Sequence, residues 1–377
     1  MRAAGAILLI ACWAQPLLAA PSRPTDPELE LARNLPPYRA VLQERPLDAH
    51  AAVAQARALI AEGRRRADIR AFAYAEATLA PLISQAASNA DLALTLADIH
   101  QYRHDFTGAE VLLDAVIARH RRDAPARLMR AQILLAQGRG AEALRDCLSL
   151  VGHEGAAIWS ACAAQAYAIS GRLSDARRLL DGALRTAPTD ERGSAWAAGI
   201  MAQLSLQAGD GPAAQVWLRR ALATNPDDHV VALDLTDLLI ATGHEAEALA
   251  LLQTRPASDA YLIRKAQALL AVDPVQSTAV QAALRRRFGE ADALGDRTHL
   301  RERADFELRF GDPRAALSAA RENFRSQREL TDLSLVLRAA AAAHDAAGAR
   351  EALEWLARTR TQDARLQPVL RQLGVAS

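Results

Sequence analysis

The chain has 377 residues, 51% of them hydrophobic and only 4% aromatic. Alanine and leucine supply most of the apolar content, which favours packed helices over sheet, since both are strong helix formers. Lys and Arg number 45 against 44 Asp and Glu, so the net charge is +1, without the basic excess of a duplex-binding protein, and no nucleic-acid partner is expected. Lys265 is the sole lysine, and the runs Arg64-Arg65-Arg66 and Arg285-Arg286-Arg287 read as solvated helix ends.

Residues 1–20 have the layout of a secretory signal peptide: one arginine, an apolar run, then small residues and prolines. Pro16 and Gln15 interrupt the run too early for a membrane span. Cleavage after Ala19 or Ala20, or after Ala14, fits the small-residue pattern. The tetrad Leu9 to Cys12 also resembles a lipoprotein box with Cys12 acylated, the one alternative that would tie the chain to a membrane other than through its N-terminal segment. Export, with a periplasmic location, is the expectation; an outer-membrane lipoprotein is the alternative. Residues 21–46 hold six prolines and read as an exposed leader.

From residue 47 to 375 the chain repeats itself. In "SGRLSDARRLLDGALRTAPTD", residues 170–190, Gly171 is followed at plus five by Ala176, at plus twelve by Ala183 and at plus seventeen by Pro188. Gly209 has Ala214, Ala221 and Pro226 at the same offsets. Gly138, Gly243 and Gly311 each have alanine at plus five. Weaker copies start at Arg70, His104, Ser277 and His344, so the anchors fall at 70, 104, 138, 171, 209, 243, 277, 311 and 344. Successive gaps are 34, 34, 33, 38, 34, 34, 34 and 33, the 38 being assigned to an extended linker over 188–194. Apolar residues recur at three and four on both sides of each anchor, so each unit is two amphipathic helices joined by a tight turn. Glycine suits that turn, alanine lets helices approach, and proline stops the second helix.

These anchors resemble the tetratricopeptide repeat, a helix–turn–helix unit of about 34 residues. The resemblance implies an all-α fold: a right-handed superhelical solenoid of about nine repeats, closed by a capping helix over 364–373. It also implies that the residue six before each anchor faces a concave groove. Those residues are Asp98, Gln132, Gln165, Gln203, Asp237 and Asp305, a polar ladder, with Ala271 and Arg338 in the same register. Apolar flanks are expected from Leu94, Leu128, Ala161, Leu233, Leu135, Leu206 and Ile240, and charge toward the C-terminus from Arg264, Arg301, Arg309 and Arg338. Such a groove would hold an extended peptide or protein segment, with side-chain amides bonding its main chain.

No phosphate loop, nucleophile elbow or zinc-protease helix is present, and no catalytic residue, cofactor or metal is expected. His100 and His104 could share a helix face, but His104 sits at a turn anchor. Cys147 falls where the family places a core aromatic and Cys162 in the next first helix; they read as two small core residues, with a disulfide geometrically open. The function expected is a non-catalytic interaction scaffold of a bacterial cell envelope. The alternatives are an envelope enzyme or carrier, and a cytoplasmic regulator if the signal peptide is a misread helix.

Overall fold

A computed structural model describes residues 48–66, 68, 70–186, 191–293 and 299–375; the signal-peptide and leader readings lie outside them. The described residues form nineteen α-helices, eighteen of them in pairs. The pairs are α1 (Ala49–Arg66) with α2 (Arg70–Leu79), α3 (Ala90–Tyr102) with α4 (Phe106–Arg119), and α5 (Ala124–Ala136) with α6 (Gly140–Ser149). Next come α7 (Ala156–Ala168) with α8 (Leu173–Thr186), α9 (Glu191–Gln207) with α10 (Gly211–Thr224), and α11 (His229–Ala241) with α12 (Glu245–Leu252). The last three are α13 (Asp259–Val272) with α14 (Pro274–Ala293), α15 (Leu300–Phe310) with α16 (Pro313–Phe324), and α17 (Leu330–Ala342) with α18 (Arg350–Thr359). A 3-10 turn at Ala364–Leu366 leads into α19 (Gln367–Gln372), whose Val369 and Leu370 cover Leu333 and Leu337 of the last pair, as a capping helix should.

Six of the nine anchors take the left-handed turn, whereas Arg70 begins α2 and Gly311 has φ of −133°. Gly138, Gly171, Gly209 and Gly243 all have φ near +75°, and His104 and His344 take φ of 59° and 55° in the same turn without being glycine. The residue after the anchor is often aspartate, whose carboxylate caps the second helix: Asp105 accepts from the Gly108 N–H, Asp210 from Ala213 and Asp345 from Gly348. Each such cap contributes about 1 kcal/mol. The alanines at plus five are fully buried at 75, 109, 143, 176, 214, 248, 316 and 349.

Two expectations need correction. Ser277 is not a turn residue; it lies inside α14 and is fully buried, while Ala282 is only half-buried. Asp273 caps α14 by accepting from the Gln276 N–H, so the anchor is Val272 and Ser277 is its small residue at plus five. The serine hydroxyl is satisfied by donating to the Ala266 carbonyl at 2.7 Å. A short α12 of 8 residues and a long α14 of 20 compensate each other, which hid the slip in a regular lattice. The linker over 188–194 is also partly helical, because α9 starts at Glu191; residues 187–190 lie outside the described set.

Cys147 on α6 and Cys162 on α7 form a disulfide with Cα atoms 5.4 Å apart, where two free core cysteines were the favoured expectation. Beside it, Asp146 is buried and takes both Arg127 and Arg130 from α5, tying the two helices of the third pair together with charge, and Arg130 also takes Asp114 of the second pair.

First helices pack on the first helices of the next pair, α3 on α5, α5 on α7, α7 on α9, α13 on α15 and α15 on α17. The stack therefore bends with its first helices on the inside. It bends far enough for its coils to touch. One edge of the solenoid carries the turns within pairs, the other the links between pairs. The turn edge of pairs one to five rests on the link edge of pairs five to nine. Arg64 O accepts from His229 Nε2 at 2.6 Å, Ala136 O from the Arg328 N–H at 2.6 Å, and Ile169 O from the Thr361 hydroxyl at 2.8 Å. These carbonyls stand at the ends of α1, α5 and α7, where a helix leaves acceptors unpaired. Along the same seam a cavity of about 320 Å³ lies between Tyr102 and His104 on one coil and His299, Arg301 and Gln327 on the other.

Candidate functional site

The ladder residues all stand on the inner, first helices, but they do not share one environment. Asp98 is engaged by Arg64 of the preceding pair. Gln132 on α5 and Gln165 on α7 each bury their Nε2 with no hydrogen-bond partner among the described residues. Gln203 on α9 donates to Asp234 at 3.3 Å. Asp237 takes Arg264 at 2.7 Å and Arg309 at 3.5 Å; Asp305 takes Arg309 at 2.7 Å and Arg264 at 3.6 Å.

The C-terminal charges expected to face the groove thus spend themselves largely on one another. Arg301 is bound to Asp332 at 2.7 Å, with Gln327 and Glu329 alongside. Arg338 is the exception: it is exposed, and no hydrogen bond or ion pair reaches it among the described residues. Partial desolvation by the surrounding concave face, then the neighbouring Arg309 charge, lowers its pKa from the ordinary guanidinium value. The apolar flanks divide as well. Ala161, Leu135 and Leu206 belong to the core, leaving Leu94, Leu128, Leu233 and Ile240 half-buried beside the ladder.

Asp234 was not foreseen. It lies one turn before Asp237 on α11, so the three-residue spacing could have found it. Desolvation first, and the Asp237 charge second, push its carboxyl up to about 6, against the pull of Gln203, Arg365 and Arg264. A raised carboxyl favours the fold most below its unfolded pKa, and that contribution is lost as pH climbs through 6. Asp234→Asn should therefore be more stable than the parent at pH 7, by about 1–3 kcal/mol, with the gap closing below pH 4. Urea titrations of both proteins across that range check it; a gap that does not vary with pH would count against a raised Asp234.

His100 gives its Nδ1 to Asp105 at 2.6 Å, so it supports the α4 cap, and His104 is the turn residue next to it.

A family model for the tetratricopeptide repeat matches residues 205–272, from the end of α9 to the end of α13. A chain of the APC/C hetero-tetramer Cut9–Hcn1 superposes with a TM-score of 0.51 at 16% identity, over 89% of this chain and 66% of that one. Residues 205–272 thus match tetratricopeptide repeats, and the described residues share the fold of a tetratricopeptide solenoid. The present chain spans just under two thirds of that Cut9–Hcn1 chain's length, and at such identity the likeness is one of fold. A human IFIT1 monomeric mutant with Gppp-AAAA superposes with a TM-score of 0.49 at 16% identity, over 89% of this chain and 76% of that one. A tetratricopeptide repeat protein from Parabacteroides merdae gives 0.38 at 13%, over 77% and 98%. No curated protein matches the sequence.

As a tetratricopeptide stack, the molecule offers a concave face built of first helices, and its fold is that of an interaction scaffold. The face has two halves: amides at Gln132, Gln165 and Gln203, then an ion-paired arginine and aspartate cluster ending in Arg338.

Proposed function

We propose that the chain is a non-catalytic adaptor of a bacterial cell envelope, holding an extended segment of a partner protein along its concave face. The observation that carries this reading is the pair of amide groups at Gln132 and Gln165, buried on neighbouring helices without an acceptor. A buried donor left unpaired costs about 1–3 kcal/mol, so a fold that keeps two of them side by side gains from something that supplies acceptors. Main-chain carbonyls of an extended segment, spaced along the ladder, are such acceptors. An acidic side chain further along would meet the unpaired Arg338. Export is supported by the layout of residues 1–20 and by the pairing of Cys147 with Cys162, which belongs to an oxidising compartment.

The test sets stability against binding. Gln132→Leu/Gln165→Leu removes both unmet donors, so the isolated protein should unfold at the same or a higher denaturant concentration. Partner capture, followed by photo-cross-linking from a probe at Gln203 and titration of the identified partner, should weaken about 10-fold or more, the worth of two neutral hydrogen bonds. A double variant that loses stability yet keeps full affinity would move the partner off this face.

A further inference from the structure

The seam between coils uses only part of each edge. The turn edge of pairs one to five and the link edge of pairs five to nine cover each other. That leaves the turn edge of pairs six to nine and the link edge of pairs one to four facing outward. Both are open among the described residues: a side chain at Gly243 on the first, or at Gly152 on the second, would meet nothing within 4 Å, whereas one at Gly171 would meet the Arg360 carbonyl oxygen at 2.6 Å.

The two free edges differ in chemistry in a complementary way. The free turn edge carries an apolar knuckle at the α13–α14 turn, where Val272 is 56% and Val275 82% exposed. Around it stand Asp273, Asp312 and Asp345, all exposed and none ion-paired among the described residues, against two exposed arginines, Arg314 and Arg350. The free link edge carries Ile83, Leu148 and Val151, the last 50% exposed. Between them lie Arg119, Arg121 and Arg122, exposed and likewise without an ion pair among the described residues. Large apolar side chains left on a surface, rimmed by unpaired charge, mark an interaction site.

We propose that the occupant is a second copy of this chain, stacked head-to-tail, its link edge of pairs one to four seated on the turn edge of pairs six to nine of the first. The contact continues between molecules the turn-on-link packing that already closes the coil within one molecule. The acidic turn edge and basic link edge orient it, and Val272 and Val275 meet the apolar residues of the opposite edge. Because the two surfaces are different, the contact is heterologous, and each copy keeps one free edge of either kind for a further copy.

Two surface variants of the full chain decide it: Val275→Glu on the turn edge, and Arg121→Glu/Arg122→Glu on the link edge. All these residues are exposed, so circular dichroism and melting temperature should be unchanged. The parent should sediment as a concentration-dependent series of oligomers that shrinks with salt. Each variant alone should raise the concentration for half-association about 10-fold or more. An equimolar mixture of the two variants retains one intact pair of edges and should give a discrete 1:1 dimer and nothing larger. A parent that stays monomeric throughout the micromolar range overturns the proposal. So does a mixture that fails to associate, since a symmetric contact, or edges covered by residues 21–46 of the same chain, would not be restored by mixing.

Discussion

Cys147→Ala/Cys162→Ala should cost about 3 kcal/mol of folding free energy, the entropy released when a loop of this size is opened in the unfolded chain. The two cysteines are 15 residues apart in sequence, so the bond removes a moderate loop and its contribution is local. Local is the important word in a repeat array, whose stability is close to a sum of unit and neighbour terms. The bond joins α6 to α7, the interface between the third and fourth pairs, where Leu134, Leu150 and Ala163 pack around it. Its loss should not soften the protein evenly. Hydrogen exchange in α6 and α7 should speed first, and denaturant unfolding should broaden or split as pairs one to three part from the rest. The third pair itself should stay closed, because the two arginines on Asp146 hold α5 to α6 whether or not the bond is present. Intact protein should show no reactive thiol from either cysteine even after unfolding without reductant. Free thiols there, or a double variant as stable as the parent, would remove both the staple and its support for export.

What the sequence made legible was whatever a single repeat enforces by itself. A left-handed turn needs glycine, or a residue that tolerates the strain, and the offset to the buried alanine follows from helical geometry, so His104 and His344 could be placed despite not being glycine. The slip at Ser277 shows the limit of that logic. Serine is small enough to serve as the buried residue at plus five, and Ala282 five residues later then imitates the next step of the pattern. The capping aspartate at 273 was the signal that could have broken the tie. The linker over 188–194 failed for a related reason: an insertion can lengthen a helix as readily as a loop, and α9 is a 17-residue helix.

The groove was legible in register and not in chemistry. Counting back six residues from an anchor finds the inner face, but cannot tell that Asp237 is held by Arg264 and Arg309, or Asp305 by Arg264, all across pairs. Those contacts depend on how far each pair rotates over the last. The same holds more strongly for the seam, whose partners lie 165 residues apart at Arg64 and His229 and 192 apart at Ile169 and Thr361. No local pattern encodes a distance of that kind; it accumulates from small rotations at every interface.

Glycines 171 and 243 separate the two demands. Both take φ of 74°, so alanine at either must enter the left-handed region, a strain of about 1–2 kcal/mol. Only Gly171 is also in contact across the seam, where a Cβ would overlap the Arg360 carbonyl oxygen at 2.6 Å and the Arg360 Cβ at 2.9 Å. Backbone cannot swing aside as a flexible side-chain end can, so the overlap must be relieved by parting the coils, at about 1–3 kcal/mol more. Gly243→Ala should therefore cost about 1–2 kcal/mol and leave the shape alone, and Gly171→Ala about 2–5 kcal/mol with a larger radius of gyration in solution scattering. Exchange of the Arg328 amide, which donates to Ala136 across the same seam, should quicken in Gly171→Ala and not in Gly243→Ala. Equal costs and equal dimensions for the two variants would mean that the coils stand apart in solution. The packing of turn on link within one chain, and with it the model for how a second copy docks, would then lose its footing. A difference confined to Gly171 would establish a spring held shut along one edge, so that the width of the concave face is set by contacts between pairs about five units apart in the stack.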